Sequence, residues 1–263
     1  MVQRLGLSLG KMSLAKKTPR SQTDVDFSNI SEHLAVRVSS RARRMALRVV
    51  SHDRKVHLVI PQRASLRKAY EFAYAHQDWI NEKIANIPAP IPFADGVAIP
   101  VFDCVYQIQI IPALSRITTI GFEAESLRID TRLENPAPRI ERFLKAHAKT
   151  ELGLMAQEKA ARLGRRLKTL TVRDMTSRWG SCSIDGRMAL SWRLVFAPRF
   201  AADYVVAHEA AHLIHPNHSD RFWKLCEELS TDFEGGKRWM KLNGSRLARY
   251  GTTPYVPPEN FEE

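Results

Sequence analysis

Residues 205–223 read VVAHEAAHLIHPNHSDRFW, and His208, Glu209 and His212 within them fall in the order H-E-x-x-H. On an α-helix, residues four apart lie one above the other on the same face, so His208 and His212 can reach one ion without bending the backbone. Glu209 points roughly 100° round the helix, beside the ion, where its carboxylate can take a proton from a metal-activated water. Zinc suits the site because it accepts neutral imidazole and works with three protein ligands plus water. Tyr204, Val205 and Val206 supply an apolar run before the motif, and Ala207, Ala210 and Ala211 leave room for a close neighbour.

The third ligand is less local. His215 shares the helical stripe, but three residues spread over roughly 10 Å of axis cannot converge on one ion. Pro216 stops a helix and turns the chain, and Ser219 reads as the N-cap of a new helix from Asp220. His218 sits on that turn and is the preferred ligand, followed by His215 and then by a carboxylate at Glu227 or Glu228. The metal-bearing helix is expected to begin at Pro198.

Length and composition bound the rest. The chain has 263 residues and 44% apolar content, enough for one large domain or two small ones. No long apolar run is present, so neither a membrane span nor the core of a signal peptide is expected. Cys104, Cys182 and Cys226 are odd in number and widely spaced, which argues against a disulfide framework and for a reducing cytoplasm. Cys182 reads as a small core residue and not a nucleophile. The formal net charge of +12 favours polyanionic partners, with basic clusters at 37–48 and 159–173.

Along the chain, residues 1–28 read as a disordered basic tail, and 29–135 as a β-rich N-terminal region with one helix. Its strands are LAVRVS, MALRVV and KVHLVIP, then VYQIQIIP, ITTIGF and LRIDT, with the helix at 65–86. Asn135-Pro136-Ala137-Pro138 marks a break, after which 136–251 form the catalytic domain and 252–263 a disordered tail. A long amphipathic helix fills the segment up to Gly164, with Ile140, Leu144, Ala148 and Leu152 on its core stripe. TLTVRDM, SRWGSCS and RMALSWRLVF read as strands, the last two joined by Asp185-Gly186 in a hairpin. A last helix is expected over about 236–250.

Arg178-Trp179-Gly180-Ser181-Cys182, Ser191-Trp192-Arg193-Leu194, the H-E-x-x-H segment and His218-Ser219-x-x-Phe222-Trp223 together resemble the YgjP-like metallopeptidase family, related to the SprT-like zinc proteases of the zincin superfamily. The resemblance implies an α+β, zincin-like fold in which a mixed sheet packs on the H-E-x-x-H helix and its edge strand holds an extended peptide. It also implies that His218 is the third ligand. The function implied is a zinc metallopeptidase, with Glu209 as base and protein or peptide as substrate, extended by the charge to proteins bound to nucleic acid. Two other readings stand beside it: a nucleic-acid-binding protein with a structural zinc, and a zinc hydrolase of non-peptide substrates. Tyr204, His215 and Asn217 are the candidates for stabilising an oxyanion.

Overall fold

The computed structural model describes residues 25–50, 55–87, 89–175 and 178–251, so the expected terminal tails lie almost wholly outside the described residues. The chain opens with three strands, β1 (Leu34–Ser39), β2 (Ala46–Val50) and β3 (Lys55–Pro61), assembled in the order β1-β3-β2. Val56, Leu58 and Ile60 of the central strand are buried on one face; on the other, Lys55 is exposed and Val59 half-buried, while His57 is buried at 6% exposure. Two helices, α1 (Leu66–Tyr74) and α2 (Gln77–Ala85), cover that apolar face with Ala69, Ala73, Ile80 and Ile84.

The single helix expected over 65–86 is therefore two. Ser65 does cap the first, accepting from the Lys68 amide, but the chain breaks at Ala75 and His76. There the His76 ring sits 4.5 Å from Phe72, with its Nδ1 2.8 Å from the Phe72 carbonyl oxygen. That carbonyl then has a side-chain partner at a point where the helical ladder is interrupted, and no proline or glycine advertised it.

A second sheet follows: β4 (Ala98–Val101), β5 (Cys104–Pro112), β6 (Thr119–Glu123) and β7 (Ser126–Thr131), ordered β4-β5-β7-β6. The long helix α3 (Ala137–Arg162) lies over the core with Ile140, Leu144, Ala148 and Leu152 fully buried. A third sheet, β8 (Thr169–Arg173), β9 (Gly180–Cys182) and β10 (Arg187–Ser191), is mixed: β10 pairs parallel with β8 and antiparallel with β9. The Asp185-Gly186 turn closes the β9–β10 hairpin, with Gly186 at φ 85°.

The expected final strand ends early. Trp192–Phe196 is a 3-10 helix with all five residues buried, so the alternation a half-exposed strand requires is absent. Three helices complete the fold, α4 (Arg199–Ala211), α5 (Asp220–Leu229) and α6 (Phe233–Asn243). The last starts three residues earlier than expected, because Asp232 caps it by accepting from the Gly235 amide.

The apolar residues form two cores. One unites β1–β3 with α1 and α2, from Ile30 to Ile84. The other runs from Phe93 to Leu247 and joins β4–β7 to α3, the mixed sheet and α4–α6. The second sheet thus shares its core with the helix that carries the H-E-x-x-H motif, and the division between cores falls upstream of the Asn135–Pro138 break. Among the described residues no helix is long and apolar enough to cross a membrane.

Candidate metal centre

Helix α4 is held in place before it presents any chemistry. It is buried along Ala201, Ala202, Val206, Ala207, Ala210 and Ala211, small residues that admit close neighbours. On one side, α6 approaches so closely that a Cβ at Gly236 would lie 2.4 Å from the Tyr204 Cβ. Lys159, 1% exposed in α3, pairs with Asp203 of α4 at 2.5 Å and donates to the Leu229 carbonyl at the end of α5 at 2.8 Å. The other Asp203 oxygen accepts from the Thr231 amide at 2.8 Å. This buried, fully bonded group fixes α4 against the end of α5, and removing one partner would leave an uncompensated buried charge. In the sequence Lys159 belongs to the basic cluster at 159–173; only its position facing Asp203 reveals the pair.

The first two histidines leave α4 at its C-terminal end. The helix stops at Ala211, five residues before Pro216, and His212 is its C-cap residue. A bend then brings the chain back, and His218 immediately precedes the N-cap residue of α5. Ser219 is the N-cap by backbone conformation, but its side chain makes no capping hydrogen bond.

His208, His212 and His218 converge. One ring nitrogen from each can be chosen so that all three lie within 4.8 Å of one another. The Nε2 atoms of His208 and His218 are 3.1 Å apart. Two nitrogens each about 2.0–2.1 Å from a tetrahedral ion stand roughly 3.3 Å apart, so this spacing fits a shared zinc. Glu227 and Glu228 are exposed on α5 and outside the cluster, and His215 contributes its backbone instead. The His212 Nδ1 is 3.0 Å from the His215 carbonyl oxygen, which can only accept. His212 therefore carries its proton on Nδ1 and turns the lone pair of Nε2 toward the cluster, an orientation typical of metal-bound histidine.

Phe222 forms the floor beneath all three rings, 4.9 Å from His208, 4.6 Å from His212 and 4.7 Å from His218 between centroids. Trp223 stacks on His218 at 5.5 Å. This apolar support has an electrostatic consequence. Burial, aided by the neighbouring histidines, pushes the His208 pKa down to about 4, and burial also lowers that of His212. Both rings are thus neutral at pH 7, the form a metal requires.

Glu209 is 6% exposed and stands apart from the histidine cluster. Burial raises its pKa to about 7, opposed by the Arg178 guanidinium. Strand β9 runs directly over it: a Cβ at Gly180 would lie 2.5 Å from the Glu209 Cγ and 2.6 Å from Oε1. Only glycine allows this approach. Cys182, two residues along the same strand, has its thiol pushed up to about 12 by burial and by Glu209, so it is protonated and a poor nucleophile.

These groups line a cleft of about 550 Å³ together with Arg178, Trp179, Tyr204, Pro216 and Met240. Trp179 packs partly against the main core, and its indole nitrogen would stand 3.3 Å from a Cβ at Gly244. Tyr204, 6.3 Å from His208 between ring centroids, also opens onto the cleft, whereas His215 and Asn217 do not line it. Among the described residues the β9 strand is an edge of its sheet, bonded to β10 on one side only.

Known proteins bear on this arrangement. No curated protein sequence matches the chain. Among solved structures, the metallopeptidase zymogen abylysin of Pyrococcus abyssi aligns at 20% identity over 38% of this chain and 97% of its own, with a TM-score of 0.32. The model of the YgjP-like metallopeptidase domain matches residues 43–243, spanning both cores, all three histidines and Glu209. The chain belongs to the YgjP-like metallopeptidase family.

Proposed function

We propose that this protein is a zinc-dependent peptidase in which His208, His212 and His218 hold the ion and Glu209 is the general base. The observation that carries this reading is the separation of roles in the cleft: three imidazoles converge, and a buried carboxylate stands next to them without joining them. A structural zinc site takes four protein ligands, whereas a catalytic one keeps a position open. Three donors plus a detached base match the second pattern.

Zinc bound there supplies Lewis acidity, lowering the pKa of water and polarising a peptide carbonyl. The protein supplies the rest. Burial keeps His208 and His212 unprotonated, and the His215 carbonyl holds His212 in register above Phe222. Glu209 accepts the proton of the attacking water on a carboxylate oxygen and returns it to the amine nitrogen as the peptide bond breaks. A pKa near neutrality suits a group that must do both. Gly180, Ser181 and Cys182 present a free strand edge along the cleft, to which an extended peptide can add by main-chain hydrogen bonds. Tyr204, the one oxyanion candidate that lines the cleft, can donate its hydroxyl proton, which burial holds firmly with a pKa of about 12. Cys104, Cys182 and Cys226 are all unpaired, which suits a reducing cytoplasm.

The test is hydrolysis of an unfolded protein such as casein by the zinc-loaded chain. Cleavage that stops on chelation and returns on adding zinc is expected. A fully zinc-loaded protein that cleaves neither casein nor a peptide library would overturn the peptidase reading and favour a non-peptide substrate.

A further inference from the structure

The outer face of the N-terminal sheet separates charge in a way the peptidase site does not need. In a sheet, residues paired across strands share a face, and alternate residues face opposite ways. Val56, Leu58 and Ile60 of β3 face the helices, so Lys55, His57 and Val59 face outward. The register then places Arg37, opposite Val59, and Arg48, opposite His57, on the same outer face as Lys55. At strand spacings of about 4.8 Å and rows of about 6.8 Å, Arg37 and Arg48 stand roughly 12 Å apart and Lys55 roughly 8 Å from Arg48. Arg41, Arg43 and Arg44 in the loop between β1 and β2 prolong this stripe from the end where Arg37 lies. All six cations are exposed, and none makes a side-chain ion pair with a described residue.

The acids of this module lie elsewhere. From residue 34 to residue 63 the sequence has a single acidic residue, Asp53, which falls outside the described residues. The helical layer behind the sheet is balanced, with Arg67, Lys68 and Lys83 against Glu71, Asp78 and Glu82. Two of its three bases are also engaged: Arg67 pairs with Glu71 at 3.1 Å and Lys83 with Glu82 at 2.9 Å. One face is thus neutral and paired, and the other carries uncompensated positive charge.

The second basic cluster of the sequence, at 159–173, is in part engaged within the fold. Lys159 is buried against Asp203, and Arg162 donates to the Leu229 and Glu228 carbonyl oxygens. The rest of that cluster, Arg165, Arg166, Lys168 and Arg173, is exposed, but Asp185 stands 4.0 Å from Lys168, whereas no described acid faces the cations of the N-terminal sheet.

We propose that this outer face, with the β1–β2 loop, docks the phosphate backbone of duplex nucleic acid, placing the peptidase on proteins bound there. Charge complementarity argues for a polyanion. Between the cations lie half-buried Ala35, Ala46 and Val59 and the buried His57, so no exposed aromatic ring is offered for bases to stack on, which disfavours a single strand. The same absence of Trp, Phe or Leu anchors disfavours a membrane surface. A row of arginines and a lysine without a base-reading amide neutralises phosphates and carries no sequence information.

The experiment is fluorescence anisotropy with the full-length, zinc-loaded protein and a labelled 20-base-pair DNA duplex across a salt series. Four to six phosphate contacts give a slope of about −3.6 to −5.4 in log K against log salt, a loss of about 10²- to 10³-fold between 50 and 200 mM. The combined Arg37→Ser, Arg48→Ser, Lys55→Ser variant should flatten the slope by about 2.7. Arg67→Ser, on the helical face, should leave it unchanged. Should the strand variant misfold by circular dichroism, the loop variant Arg41→Ser, Arg43→Ser, Arg44→Ser makes the same test. A single strand of equal length should bind more weakly, and phosphatidylserine vesicles should not compete. No duplex binding at low salt, binding unaltered in both variants, or vesicles that compete as well as DNA would each overturn the proposal. Because binding needs neither zinc nor Glu209, its failure is distinguishable from failure of the peptidase reading.

Discussion

Replacing Gly180 by alanine tests whether the close passage of β9 over Glu209 sets the geometry of the base. The added Cβ would lie 2.5 Å from the Glu209 Cγ, 2.6 Å from Oε1 and 2.7 Å from Cδ, well inside contact distance. Relief to an ordinary contact near 3.5–4 Å requires a shift of about 1 Å, by the strand or by the carboxylate. The helix backbone cannot retreat, because Val206, Ala207, Ala210 and Ala211 are fully enclosed, so the Glu209 carboxylate must swing along the cleft and out of its place. Overpacking of this kind costs typically about 1–3 kcal/mol of stability. A 1 Å misplacement of a catalytic group costs about 10²-fold in rate. Gly180→Ala should therefore bind zinc normally, since no histidine is touched, melt at a lower temperature, and lose about 10²-fold in kcat/KM on a peptide substrate. The assays are metal analysis, a thermal melt and steady-state hydrolysis on the same preparation. A variant within threefold of wild-type turnover would refute the claim that this glycine positions the base.

Other expectations follow from the same geometry. His208→Ala, His212→Ala and His218→Ala should each lose zinc measured by elemental analysis, whereas His215→Ala should retain it, because only the His215 backbone carbonyl is used; retention by His218→Ala with loss in His215→Ala would reverse the assignment. The metal-free protein should lose stability as pH falls from 6.5 toward 4. His208 drops from its ordinary 6.5 to about 4 in the fold, so the unfolded chain takes up the proton first, and thermal melts against pH check the window. Alkylation at pH 8 should label exposed Cys104 well before Cys182 or Cys226, whose thiols are both pushed to about 12, as peptide mass mapping would show.

The parts of the centre visible in sequence are those set by local geometry. His208, Glu209 and His212 are related by helical spacing alone, and the Pro216–Ser219 turn was enough to favour His218. What sequence does not carry is contact between distant segments. Phe222 reads as one apolar position of an amphipathic helix, and nothing local says that it underlies three imidazoles. Gly180 looks like a hairpin residue until Glu209 is placed beneath it. Lys159 counts as a surface base until α3 brings it to Asp203. The same limit explains the fold errors. Trp192–Phe196 is apolar enough for a strand, but burial on every side removes the periodicity that separates strand from 3-10 helix. The short strand β4 was missed because it owes its conformation to pairing with β5.

The central claim, that a histidine-held zinc works with Glu209 as the base, is tested most directly by peptide hydrolysis with Glu209→Gln at full zinc occupancy. Glutamine keeps the shape and removes the proton acceptor, and general acid–base groups contribute about 10²–10⁴-fold. The account requires unchanged zinc content and about one per cent or less of wild-type turnover. Turnover close to wild type in the zinc-loaded variant would contradict it.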